Sequence, residues 1–145
     1  MKRFEFPLER VRRWRRSEAD LEELKLRQML GERDATEQRK LSLLAERSLA
    51  EASVLAGQRV NVDELAALDS FRRYVREQGN ALEQLHRQQE EKIAKQRERM
   101  GEAKRRFELL DRLHQSALAE WQAGFNKEQE EMASELFLAK RNRDL

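Results

Sequence analysis

The chain has 145 residues, of which 40% are charged and 39% hydrophobic, with only 5 Gly and 1 Pro. A compact globular domain has about a quarter charged residues and more turn residues, so this composition predicts long helices around a thin core. The net charge is only +2 and apolar residues recur at helical spacing, which argues against disorder. The absence of cysteine excludes disulfides and thiolate chemistry and is typical of a reducing compartment, so we expect a cytoplasmic protein.

The first 16 residues form a basic segment, with seven Lys or Arg side chains against Glu5 and Glu9. This segment lacks the apolar region of a signal peptide. No stretch of the chain approaches the roughly 20 apolar residues of a transmembrane helix. The sequence therefore predicts a soluble protein with one basic end.

The first predicted helix extends from about residue 8 to 56. Pro7 fits its first turn, where the missing N–H would have no helical partner anyway. Gly31 costs only about 1 kcal/mol relative to Ala in so long a segment. Alternating steps of three and four predict an inward-facing stripe with small and polar members: Leu21, Leu24, Gln28, Gly31, Ala35, Gln38, Ser42, Ala45, Leu49 and Ala52.

The segment AGQRVNVDEL predicts a turn at about residues 57–62. Gly57 can end the first helix in the left-handed conformation, and Asp63 can cap the second. Gly79-Asn80 is a rival turn, but the apolar pattern continues across it, so we place it inside the second helix. That helix is then expected from about residue 63 to 141.

Two interleaved sets of residues, each spaced by seven, predict a left-handed coiled coil in the second helix. They are Ile93, Met100, Phe107, His114 and Trp121, and Gln96, Ala103, Leu110, Ala117 and Gly124. Exposed pairs of Glu and a basic residue four positions later add about 0.2 to 0.5 kcal/mol each. Those pairs are Glu23–Arg27, Glu83–Arg87, Glu91–Lys95, Glu102–Arg106 and Glu108–Arg112. The predicted fold is all-α, with residues 1–145 forming a single antiparallel coiled-coil hairpin whose second helix is longer.

The second helix should extend beyond the first. A turn near residue 60 leaves about the last 30 residues without a hairpin partner, an overhang of roughly 45 Å. Its apolar side chains are Trp121, Phe125, Met132, Leu136, Phe137 and Leu138. Since the first helix cannot cover them, they predict a surface for another protein.

No catalytic or metal-binding pattern accompanies these helices. His86 and His114 are 28 positions apart, about 42 Å along one helix, so they cannot share a metal or a substrate. The chain has no Gly-rich phosphate loop and no HExxH motif, and its carboxylates are expected on solvated faces. We therefore predict a protein that is not an enzyme and has no cofactor.

The basic segment RVRRWRR leaves an alternative open. Clustered Arg with an aromatic residue is how nucleic acid or anionic lipid is often bound, so residues 1–16 suit either ligand. The rest of the chain is balanced in charge and has no basic stripe, which favours a protein partner. A generic dimerising coiled-coil scaffold is a further alternative, which sedimentation would separate from a monomeric hairpin.

Three segments resemble the FliJ family of flagellar export proteins: FEFPLERV followed by SEAD, NVDELAALDSFRRYV after the turn, and AKRRFELLDRLH in the second helix. The resemblance covers most of the chain. The closing EEMASEL departs from the acidic Asp-Glu pair usual near the C-terminus of that family. The related type III secretion stalk proteins of the YscO group are a second possible relative.

The resemblance implies an antiparallel coiled coil similar to the central stalk of rotary ATPases. Members of the family enter a hexameric export ATPase with their paired termini and contact the cytoplasmic domain of the export gate protein FlhA and export chaperones. No nucleic acid is implied, and the membrane is reached only through partners. Contact with the ATPase would involve the basic segment and the overhang, through Arg10, Arg12, Arg13, Trp14, Arg16, Trp121, Phe125 and Leu136.

Alignment around the turn gives the implied surface for the export gate. Its members are Gln38, Ser42, Ala45, Leu49, Phe71, Tyr74, Gln78, Ala81 and Leu85. The family often has tyrosine where this chain has Ala45 and Leu49, whereas Tyr74 matches the pattern. From the residues alone, Phe71 and Tyr74 fit either the hairpin core or a docking patch.

Overall fold

The computed structural model describes residues 2–57 and 59–144 and contains two helices, α1 (Glu9–Leu55) and α2 (Val62–Arg143). They have 47 and 82 residues, contact each other, and confirm the all-α class. Their ends lie within two residues of the predicted bounds, and Gly79-Asn80 lies inside α2 as expected. Neither described helix has a stretch apolar enough to span a membrane.

The start of α1 follows from Pro7. Pro7 and Leu8 form a turn in which the N–H of Glu9 donates to the carbonyl of Phe6 at 3.1 Å. The Leu8 carbonyl then accepts the first helical bond, from the N–H of Arg12, at 2.8 Å. Glu9 lies in the first turn, where its negative charge interacts favourably with the helix dipole.

The connection between the helices differs in detail from the prediction. No glycine among the described residues has a positive φ, so Gly57 does not end α1 in the left-handed conformation. The cap of α2 is Asn61 and not Asp63, since the Asn61 Oδ1 accepts a bond from the N–H of Asp63 at 3.0 Å. Asp63 lies in the first turn instead, and Gln58 of the predicted turn lies outside the described residues.

The chain divides into two compact units. The terminal unit comprises Met1–Leu21 and Gly101–Leu145, and the internal unit comprises Glu22–Met100. Each unit contains part of α1 and part of α2.

The internal unit has a thin core with many polar members. Its buried apolar side chains are Leu26, Leu43, Leu68, Val75 and Ile93. Gln96 is buried among them, and its Nε2 donates to the backbone carbonyl of Glu22 at 3.0 Å. Half-buried basic residues of α1 pair with carboxylates of α2, Arg33 with Glu90 at 3.2 Å and Lys40 with Glu83 at 2.7 Å.

The predicted inward stripe of α1 is wrong. All ten of its members, from Leu21 to Ala52, are exposed. The residues that turn inward instead are Ala19, Leu26, Arg33, Lys40, Arg47 and Val54, spaced by seven, with Thr36 and Leu43 between them. Because three of these positions hold Arg or Lys, the apolar residues of α1 do not mark its buried face. The ion pairs to Glu83 and Glu90 make such a face possible.

The predicted heptads of α2 agree with its burial. Ile93, Gln96 and Ala103 are buried, and the later members from Met100 to Trp121 are half-buried, whereas Gly124 is exposed. Two of the predicted exposed pairs are replaced by contacts with α1, since Glu83 binds Lys40 and Arg106 lies 3.9 Å from Glu18. Glu23 and Arg27 do pair, at 3.5 Å.

Acid should destabilise this fold. Hydrogen bonds from Gln96 to Glu22, from Arg73 to Asp69 and from Lys40 to Glu83 lower the pKa of each carboxyl group. A lowered folded-state pKa contributes stability that is present above the unfolded pKa and is lost as the pH falls through the folded value. We therefore expect the urea midpoint of unfolding to fall below about pH 4.5.

The Lys40→Met variant tests the cause. It removes the main hydrogen bond that lowers the pKa of Glu83, so it should lose less stability between pH 7 and pH 3 than the parent chain. Lys92→Met, at an exposed position, is the control and should keep the slope of the parent. Equal slopes for all three chains would show that the Glu83 pair is irrelevant to acid sensitivity.

Candidate interaction surfaces

Arg12, predicted to contact a partner, lies against α2 within the terminal unit. Its Nη2 donates to Asp111 Oδ1 at 3.0 Å, and its Nη1 donates to Glu9 Oε1 at 3.1 Å. The hydrogen bond to Asp111 is the main cause of the raised pKa of Arg12. Arg12 therefore serves the contact between the helices, and its guanidinium is already paired.

The other residues of the basic segment that were predicted to contact the ATPase face outward. Arg10, Arg13 and Arg16 are exposed, and Trp14 has 57% of its surface exposed. The guanidinium carbon of Arg15 lies 4.4 Å from the centroid of the Trp14 ring, a cation–π contact. This face of α1 offers an aromatic ring among positive charges.

Trp121 and Phe125 are not left uncovered as predicted. Both are half-buried, and their rings stack with centroids 5.5 Å apart. The segment before α1 lies against Trp121: the Trp121 Nε1 donates to the carbonyl of Lys2 at 3.2 Å, and the ring of Phe4 lies 5.9 Å from that of Trp121. Residues of the N-terminal segment thus replace the missing helix at this point.

The last turns of α2 present an exposed apolar end. We use this name for Met132, Leu136, Phe137 and Leu138, of which Leu136 and Phe137 have 69% and 67% of their surfaces exposed. Successive residues of a helix are rotated by about 100°, so the side chains of residues 136, 137 and 138 project to three different sides. A flat surface cannot cover all three.

The implied gate surface lies in the internal unit, and nearly all of it is exposed. Tyr74 is 46% exposed, so it is a surface residue, whereas Phe71 is half-buried; their rings stack with centroids 6.3 Å apart. The α1 members are Gln38, Ser42, Ala45 and Leu49, which are all exposed. Gln38 and Ala45 come two residues after the buried Thr36 and Leu43, about 200° round the helix, so they face away from the core.

The role of Phe4 and Phe6 was not predicted from the sequence. Both rings pack edge-on against His114, with centroid distances of 5.7 and 5.2 Å. The available signal was the pair of aromatic residues just before Pro7, in a segment that is otherwise charged. His86, the other histidine, lies in the internal unit with its Nε2 3.8 Å from Glu90.

Comparison with known proteins adds no relative. No protein family, no curated protein and no solved structure matches this chain.

Proposed function

We propose that the chain is an antiparallel coiled-coil hairpin that acts as a non-enzymatic stalk of the flagellar type III export apparatus. The antiparallel arrangement is supported within each unit by the order of the paired residues. In the internal unit, Arg33 pairs with Glu90, Lys40 with Glu83 and Glu51 with Arg72, so positions rise along α1 as they fall along α2. In the terminal unit, Arg12–Asp111 and Glu18–Arg106 follow the same order.

In this proposal the hexameric export ATPase surrounds the end of α2, and the cytoplasmic domain of the export gate binds nearer the turn. Export chaperones are further partners, and the protein reaches the cytoplasmic face of the membrane only through these proteins. The resemblance to the FliJ family is the origin of the proposal. The YscO group differs from the FliJ family in serving virulence secretion. A member of that group would make the same kinds of contact as those proposed here.

The exposed apolar end is the observation that carries the proposal. Apolar side chains that project from several sides of one helical turn cannot all be covered by a partner that binds one face. Leu136, Phe137 and Leu138 project in three directions, so they fit a partner that encloses the helix, such as the bore of a ring, better than one that binds a single face. The outward-facing Arg10, Arg13 and Trp14 add polar and aromatic contacts in the same unit.

Binding to nucleic acid or anionic membrane is the second candidate, favoured by the exposed Trp14 beside Arg15. Against it, several of the basic side chains are paired with carboxylates: Arg12 with Asp111, Arg13 with Glu9 and Arg15 with Glu18. These pairs reduce the positive charge available for phosphates. Binding to phosphates would also weaken steeply as the salt concentration rises.

The direct test is sedimentation of the full chain with the purified hexameric export ATPase of the same organism. We expect a complex of one chain per hexamer. This complex should persist at moderate salt, because apolar contacts contribute to its stability. Cosedimentation with DNA or anionic vesicles in place of the ATPase, lost on adding salt, would favour the second candidate.

Replacing Tyr74 by Ala should weaken binding to the gate domain. An aromatic anchor at an interface contributes about 2 kcal/mol or more, so the Kd should rise by roughly thirtyfold in a calorimetric titration. Helicity should be unchanged, because Tyr74 is exposed. Leu65→Ala is the matched control, since Leu65 is 42% exposed and lies on another side of α2. An equal loss of affinity in both variants would remove Tyr74 from the docking surface.

A further inference from the structure

The segment before α1 makes a compact set of contacts with α2 inside the terminal unit. We use N-terminal arm for residues 2–6, which contain no helix. Its Phe4 and Phe6 are half-buried, and both rings meet the ring of His114 at interplanar angles of 69° and 84°. Phe4 also reaches Trp121, whose indole N–H donates to the carbonyl of Lys2.

These contacts have the features of peptide recognition. Phe4 and Phe6, separated by one residue, both place their rings on His114. The indole N–H of Trp121 donates a hydrogen bond to the backbone carbonyl of Lys2, two residues before Phe4. Glu5, between the two rings, is exposed. The site on α2 therefore accommodates two phenylalanine rings separated by one exposed residue.

We infer that the surface around His114 and Trp121 is a binding site for a non-helical Phe-x-Phe segment, filled in the free chain by its own N-terminal arm as a releasable strap. The site is distinct from the proposed contacts of the exposed apolar end. Its occupant is the arm of the same chain.

Release is favoured by how the arm is held. Of the backbone groups of residues 2–6, the structure shows only the Phe6 carbonyl in a backbone–backbone hydrogen bond, to the N–H of Glu9. The bond from Trp121 to Lys2 is exposed to solvent. A segment held by two half-buried rings and one exposed bond opens without unfolding the helices, because no helical hydrogen bond depends on it. Pro7 and Leu8, which form the turn after the arm, mark the point of movement.

Fluorescence of Trp121 tests the inference in the full chain. Trp14→Phe leaves Trp121 as the only tryptophan, since the chain has two. In that background, Phe4→Ala/Phe6→Ala should shift the Trp121 emission to the red and raise its acrylamide quenching constant about twofold, because the indole becomes exposed. Glu5→Ala, in the same arm but exposed, is the control and should leave both values unchanged.

A peptide of residues 1–8 distinguishes a binding site from a fixed part of the fold. Added to the Phe4→Ala/Phe6→Ala chain, it should restore the blue-shifted emission and the protection from acrylamide, and the same peptide with both phenylalanines replaced by Ala should not. Unchanged fluorescence in the double variant, or failure of the first peptide to restore it, would overturn the inference. So would a loss of helicity by circular dichroism in the double variant, because the arm would then be required for the helices.

Discussion

Replacing Leu43 by Ala is expected to lower the free energy of unfolding by about 2–4 kcal/mol, measured by urea denaturation. Leu43 is only 1% exposed, the same as Ile93 in the same unit. The variant loses the transfer free energy of the missing carbon atoms and leaves a cavity that two long helices cannot readily close. The core of this unit has few buried apolar side chains, so a large share of its stability depends on each one.

The neighbouring leucine provides the control. Leu44 is 46% exposed, and Leu44→Ala should change the free energy of unfolding by about 0.5 kcal/mol or less. The two variants have the same composition and the same helix propensity, so their difference reports burial alone. If Leu44→Ala were the more damaging of the two, the buried face of α1 would be assigned wrongly.

Composition and local signals were sufficient to predict the two helices. Pro7, the turn residues near 57–62 and the lack of breakers elsewhere determine where helix is possible, and the observed ends agree closely. The heptads of α2 were also predicted, because Ile93, Ala103 and Leu110 are apolar at the positions that turn inward. Local sequence signals therefore predict the two helices of this chain well.

The buried face of α1 could not be predicted in the same way. A heptad rule assumes that apolar residues mark the inward positions, but α1 places Arg33, Lys40 and Arg47 there and exposes Leu21 and Leu49. Arg33 and Lys40 are accommodated because their heads reach Glu90 and Glu83 on α2, whereas Arg47 lies 3.8 Å from Glu51 of its own helix. That match depends on which residues of α2 lie opposite, which the pattern of α1 alone does not contain.

The candidate surfaces were predictable to different extents. Leu136 was expected at the surface and is exposed there, whereas the residues alone left Tyr74 open between the hairpin core and a docking patch, and it too is exposed. The cover over Trp121 was not foreseen, because the arm is too short and too charged to have a periodicity that identifies its contacts. Only the spatial meeting of Phe4 and Phe6 with His114, more than 100 positions away, defines that site.

The exposed apolar end can be tested without disturbing its surroundings. Deleting residues 113–145 would also remove His114 and Trp121, which hold the N-terminal arm. Substitution of Leu136, Phe137 and Leu138 by Gln keeps the arm and keeps residues with good helix propensity. Leu109 and Leu113, which are 61% and 47% exposed, form the control pair for replacement by Gln in the same unit.

The triple Gln variant should lose binding to the hexameric ATPase almost completely. If the ring encloses the three side chains, their burial contributes about 1.5 kcal/mol each at the low end of the usual range, so the Kd should rise by roughly a thousandfold. The Leu109→Gln/Leu113→Gln control should bind as the parent chain does, and both variants should retain the parent's helicity and Trp121 emission. Unchanged affinity in the triple variant would exclude the apolar end as the inserted element. The outward-facing side chains between Arg10 and Arg16 would then be the remaining candidates for contact with the ring, and the complex should dissociate steeply with salt.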